Sequence, residues 1–136
     1  MAEIKISELS IGDWISDKNG IVAQVRGIEC WSNEYVVNVR TKAGTITSLT
    51  EEGVCPIPLT PEILEKNGLE YVDDDNDAVI FLCCDMFWAR LCVGDTFWQV
   101  GIHSDDRLDA VVCNVKHTHQ LQHALRLAGV EKEIEV

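Results

Sequence analysis

The residues best suited to chemistry crowd the segment His117-Thr118-His119-Gln120-Leu121-Gln122-His123. His119 and His123 stand four apart, a spacing that puts two imidazoles on one face of a helix, as in many zinc sites. They are the candidate metal pair. On a helical wheel that pair falls roughly opposite the leucines, in solvent, while His117 turns toward the apolar side. The three imidazoles therefore cannot converge if the segment is helical throughout; a helix that starts after Thr118 leaves His117 freer. No Glu sits between the pair in the His-Glu-x-x-His manner, so the simpler expectation is a polar helix face bonded to a neighbouring loop.

Asp73, Asp75 and Asp77 alternate like the first half of a calcium loop. Counting Asp73 as the first ligand puts Ala78 where the loop needs glycine and Cys84 where it needs a bidentate Glu. The loop fails at both positions. Asp73, Asp74, Asp75 and Asp77 read instead as a solvated acidic turn that a partner could grip. Six cysteines, Cys30, Cys55, Cys83, Cys84, Cys92 and Cys113, offer thiols. A nucleophilic cysteine needs a base beside it and a lowered pKa, and no pattern here marks one. Cys83, Cys92 and Cys113 lie in apolar runs, as small buried hydrophobes do, and adjacent Cys83 and Cys84 would point to opposite faces of a strand. The chain has no Gly-x-Ser-x-Gly elbow, phosphate-binding glycine loop, dinucleotide fingerprint or Cys-x-x-Cys. No cofactor is expected.

Charge narrows the partners. The chain of 136 residues carries a net charge of −12. Residues 1–58 hold five basic and eight acidic side chains, −3, and residues 59–136 hold six and fifteen, −9. A surface of that sign repels a phosphate backbone, so ordinary nucleic-acid binding is not expected; an acidic face that mimics nucleic acid is the sharper alternative to plain solubility. No apolar run approaches the roughly 20 residues that span a bilayer. The opening residues lack the apolar core of a signal peptide. A cytoplasmic protein with reduced thiols is the expectation.

The elements that must position these groups are short. In the first part, strands Asp13–Ser16 and Ile21–Ile28 flank the turn signal Asn19-Gly20, and Tyr35–Arg40 and Thr45–Leu49 flank Gly44. Val54–Ile57 offers a fifth strand. Closure of such a meander into a small SH3-like barrel or curled sheet would hide its edges. The connection Glu29–Asn33 interrupts the meander and sets Trp31 near a loop tip, where it either folds over the barrel end or anchors a partner. The stretch from Pro58 to Gly68 encodes a helix at both ends: Thr60 as N-cap, Pro61 at the first turn, Leu59 and Leu64 as a staple, Gly68 as the stop.

Beyond it, Ala78–Cys84, Phe87–Val93, Thr96–Ile102 and Ala110–Val115 read as an antiparallel meander, with a polar loop at His103–Asp109. A second helix, Thr118–Ala128, gathers Leu121, Ala124, Leu125 and Ala128 on the face that should cover the sheet. Glu131–Val136 ends as an edge strand or tail.

Three segments carry a resemblance: Leu9-Ser10-Ile11-Gly12-Asp13-Trp14-Ile15, then Ile57 to Leu69 through Pro58-Leu59-Thr60-Pro61-Glu62, and His119-Gln120-Leu121-Gln122-His123-Ala124-Leu125 running to Glu131. Together they cover about a quarter of the chain and are similar to a family of small uncharacterised proteins from gut Bacteroidetes genomes and their prophage-like elements. Ile63 stands where that family commonly has Trp, and His123 where it has Asn. The resemblance implies an architecture and a genomic setting, with Gln120, Leu121 and Gln122 as a structural motif whose amides bond backbone of the first part.

The resulting expectation is an α+β fold in two parts, 1–58 and 59–136: a small barrel or curled sheet, then a capped helix and an antiparallel sheet covered by the C-terminal helix. The expected role is a non-catalytic protein-interaction module, possessing surfaces at Trp31 and the Asp73–Asp77 turn for an unidentified protein partner. The alternatives are a metal- or thiol-dependent hydrolase using His117, His119 and His123, and an acidic nucleic-acid mimic.

Overall fold

The computed structural model describes residues 4–73, 78–83, 87–92, 96–104 and 107–136. The fold is α+β, with one four-stranded and one five-stranded antiparallel sheet and a C-terminal helix. The chain divides into two compact units, Met1–Ile57 with Val136, and Pro58–Glu135.

In the first unit, β1 (Trp14–Ser16), β2 (Val22–Trp31), β3 (Glu34–Thr41) and β4 (Ile46–Thr50) pair in sequence order. The opening motif of the resemblance is a turn. Gly12 takes φ +97°, a conformation that only glycine adopts without steric cost. Buried Asp13 closes the turn by accepting the Ser10 N–H at 2.8 Å. The Asn19-Gly20 turn also forms as expected, with Gly20 at φ +82° and Asp17 Oδ1 accepting the N–H groups of Asn19 and Ile21. Ile4, Ile6, Leu9, Ile15, Ala23, Val25, Val37, Val39 and Val54 make the core.

Of the two expectations, barrel or curled sheet, closure into a barrel is not seen: the four-stranded sheet is open. After a 3₁₀ turn at Glu51–Gly53, Cys55 alone returns to β1, exchanging backbone bonds of 2.8 and 2.9 Å with Ser16. Pro56 and Pro58 lack the N–H groups that a longer ladder would need. The anticipated strand at Val54–Ile57 is thus a single bridge. Of the anticipated loop at Glu29–Asn33, Glu29–Trp31 is instead paired strand and only Ser32 and Asn33 are left to turn. Trp31 lies opposite Glu34, and Ser32 and Asn33 make a two-residue turn with φ +46° and +71°, the mirror-image turn whose twist suits a hairpin.

In the second unit, α1 (Pro61–Lys66) is capped as its sequence requires, Thr60 Oγ1 accepting the Ile63 N–H at 3.3 Å. Strands β5 (Glu70–Asp73), β6 (Ala78–Cys83), β7 (Phe87–Cys92), β8 (Trp98–Ser104) and β9 (Arg107–Val115) form an antiparallel meander. β9 begins earlier than the polar-loop reading allowed, since Ser104 pairs with Arg107. The helix α2 (Thr118–Leu127) sets Leu121, Ala124 and Leu125 into a core with Phe81, Phe87, Ala89, Trp98, Val100 and Val115.

Both helices end by the same device. Gly68 and Gly129 take φ +81° and +78°, and the next residues, Leu69 and Val130, bond back to the Leu64 and Leu125 carbonyls at 3.1 and 2.9 Å. This six-to-one bond uses glycine's freedom to satisfy an orphan carbonyl and turns the following apolar residue inward; both are buried.

Candidate interaction site

Strand pairing carries the core face of the first sheet past its own core. Val39, Val37 and Tyr35 alternate along one face of β3, and their cross-strand partners on β2 are Val25, Ile28 and Cys30. A bulge between Val25 and Gly27 restores the phase, so Ile28 joins that face. Burial then falls away along the hairpin. Val37 and Val39 are buried, whereas Ile28 is 37% and Tyr35 49% exposed, and Cys30 is exposed as well. An apolar strip thus runs from the core into solvent.

Beside it lies a recess of about 310 Å³ lined by Asn33, Glu34, Tyr35, Thr50, Glu51 and Glu52. The hairpin turn supplies one wall and the end of β4 with the 3₁₀ turn supplies the other. Glu51 is partly committed to the fold, accepting the Ile6 N–H at 3.0 Å. Among the described residues the lining offers three carboxylates, a phenol, an amide and the Thr50 hydroxyl, groups suited to recognition by charge and stacking. Trp31 closes β2 next to this turn; its side chain lies outside the described residues. Asp73 ends β5, and its side chain, with Asp74, Asp75 and Asp77, also lies outside them.

The histidines occupy a different position from the one the wheel assigned. The helix starts at Thr118, leaving His117 extended at φ −124°. His117 and His119 stack nearly parallel at 5.8 Å between centroids, and His123 meets His119 edge-on at the same distance. His119 is buried rather than solvated. The wheel misplaced it because Thr118, His119 and Gln122 are polar yet belong to the buried arc of the helix. The three imidazoles form a row, and among the described residues no group of three His, Cys, Asp or Glu is placed to hold a metal ion. Burial pushes the Cys113 thiol up, away from thiolate reactivity.

The glutamines of this segment bond backbone within their own unit. Gln120 Oε1 accepts the N–H groups of Lys116 and His117 at 2.7 and 3.1 Å, tying down the helix start. Buried Gln122 donates to the Lys132 carbonyl at 2.8 Å and accepts the Ile134 N–H at 2.6 Å. Asn67 does the same to Glu135, donating to its carbonyl at 2.7 Å and accepting its N–H at 2.8 Å. Two side-chain amides therefore replace a β-partner for the closing segment, whose Val130 and Ile134 enter the core.

Sequence reasoning missed Ile28, Tyr35, Glu34, Glu51, Glu52 and the Asn67–Gln122 clamp. The alternation Tyr35-Val37-Val39 was the available signal for the strip; the clamp left none. No family model, curated protein or solved structure matches the chain. Among the described residues, no helix is long and apolar enough to cross a membrane.

Proposed function

We propose that this chain is a non-catalytic protein-interaction module whose binding surface is the β2–β3 hairpin end. The observation that carries this reading is the apolar strip of Ile28, Cys30 and Tyr35, which leaves the core and stays in solvent beside an acidic recess. An exposed aromatic next to a concavity is the usual form of a binding anchor, and solvated apolar surface of this kind marks interaction sites. Trp31 ends β2 at the same hairpin turn and is proposed on its sequence position as a further anchor, with the acidic Asp73–Asp77 stretch as a second contact region. The partner is a protein rather than nucleic acid, given the net charge of −12.

The first unit is read as an SH3-like barrel left partly open, which the Ser16–Cys55 bridge supports. We further propose a cytoplasmic setting, in keeping with the lack of a long apolar run, and an origin in prophage-like elements of gut Bacteroidetes, in keeping with the resemblance of the three segments. Comparative affinity capture from a native lysate tests the role, using wild type, Tyr35→Ala, Trp31→Ala and, in the second unit, the exposed-residue variant Leu127→Ser. Proteins held by wild type and Leu127→Ser but lost by the aromatic variants support the hairpin surface. Proteins held equally by all four refute it.

A further inference from the structure

We propose that β4 is a self-pairing edge, through which two copies of this chain join antiparallel into one continuous sheet. β4 pairs only with β3 among the described residues, and it is the last strand of its sheet. Its five residues, Ile46-Thr47-Ser48-Leu49-Thr50, carry no charge, no proline and no glycine. Four of the five are exposed, and Ile46 is 74% exposed. Edge strands in soluble proteins are ordinarily protected by a lysine, a proline, a bulge or a covering segment; among the described residues β4 has none of these.

The hydrogen-bonding phase leaves the outer edge ready to pair. Thr41 N–H donates to the Thr45 carbonyl at 2.9 Å. In antiparallel pairing such bonded pairs alternate, so in the observed register Val39–Thr47 and Val37–Leu49 are the bonded pairs facing β3. The N–H and C=O groups of Ile46, Ser48 and Thr50 consequently point away from the sheet.

Charge selects a second copy as the occupant. The first fifty-eight residues carry only −3 of the −12 total, so repulsion between copies is weakest on this unit. Centring an antiparallel pair on Ser48 sets Ile46 opposite Thr50 of the other copy, so the β3–β4 turn at Gly44 faces the other copy's 3₁₀ turn, which carries Glu51 and Glu52. The Arg40 guanidinium folds toward Gly44, its Nη2 lying 3.9 Å from where a Gly44 β-carbon would stand. The cationic end of each β4 therefore meets the acidic end of the other, twice by symmetry, as an isologous interface requires. Parallel pairing would set like charges together.

Sedimentation equilibrium of the intact chain, from about 1 to 500 μM, reads the association. The wild type is expected to dimerise, and Ser48→Lys, which sets two ammonium groups across the twofold axis, to weaken the dimer at least about a hundredfold with an unchanged circular dichroism spectrum. Arg40→Glu and Glu52→Arg each weaken it, and the double variant restores it. Under a glutathione redox buffer Ser48→Cys forms a 48–48 cross-link identified by peptide mass spectrometry, and Ile46→Cys forms no 46–46 link. A wild type that stays monomeric throughout, a dimer indifferent to Ser48→Lys, a charge swap without rescue, or a 46–46 link would each overturn self-pairing. So would a monomer that takes up only a foreign extended peptide on β4.

Discussion

Replacing Gln122 by Ala tests the clamp that holds the closing segment of the second unit. The side chain is buried and makes two bonds, to the Lys132 carbonyl at 2.8 Å and from the Ile134 N–H at 2.6 Å. Ile134 is itself 2% exposed, so its N–H would lose its partner with no water to replace it, at about 1–3 kcal/mol. The Lys132 carbonyl is only part-buried and rehydrates, adding about 1 kcal/mol or less. With the space left by the amide, the expected loss is about 2–4 kcal/mol. A cooperative unit of this size would melt more than about 8 °C lower. Urea unfolding followed by tryptophan fluorescence gives the free energy, and the slope m should be unchanged. Hydrogen exchange localises the effect, since Ile134 and Glu135 amides should lose protection first. Glu133→Ala serves as the control. Its ion pair with Arg126 is exposed at 3.5 Å and is worth under about 1 kcal/mol. A Gln122→Ala protein within about 0.5 kcal/mol of wild type, with Ile134 still protected, would refute the clamp.

Three further outcomes follow from the same structure. Thr60→Ala removes the cap on the Ile63 N–H and should cost about 1 kcal/mol in chemical denaturation, with Thr60→Ser near neutral. Gly68→Ala should cost about 1–2 kcal/mol although space is available, because φ is +81° and the added carbon meets only the Lys132 ammonium at 3.7 Å; a neutral result in the same assay would remove the left-handed cap from the account. Cys113, with its thiol pushed up by burial, should alkylate with iodoacetamide more slowly at pH 8 than exposed Cys30. The folded thiol keeps its proton longer than the unfolded one, so this group's contribution to stability is intact at neutral pH and falls as pH rises through the thiol range.

The local punctuation was legible because its causes are local. Thr60, Pro61 and Gly68 specify α1 through bonds within a few residues, and Asn19-Gly20 specifies its turn in the same way. Hydrophobic alternation located most strands. The Ser32-Asn33 turn escaped because it lacks glycine, and Asn in a left-handed conformation competes in sequence with many other uses. His119 and Gln122 escaped because periodicity reads hydropathy, whereas these polar side chains are buried, Gln122 by backbone ten and twelve residues further on. Barrel closure was over-read, since β-like residues at Val54–Ile57 cannot extend a ladder across Pro56 and Pro58. The exposed apolar strip became visible only with the register, which put Tyr35 and Ile28 on the core face yet beyond the core.

The most direct measurement of the interaction reading is the affinity of a purified captured protein for wild type and for Tyr35→Ala, by titration calorimetry at physiological salt. A loss of at least tenfold, about 1.4 kcal/mol, with stability unchanged, is the predicted result. Equal affinity for both proteins would contradict the assignment of the hairpin end as the binding surface.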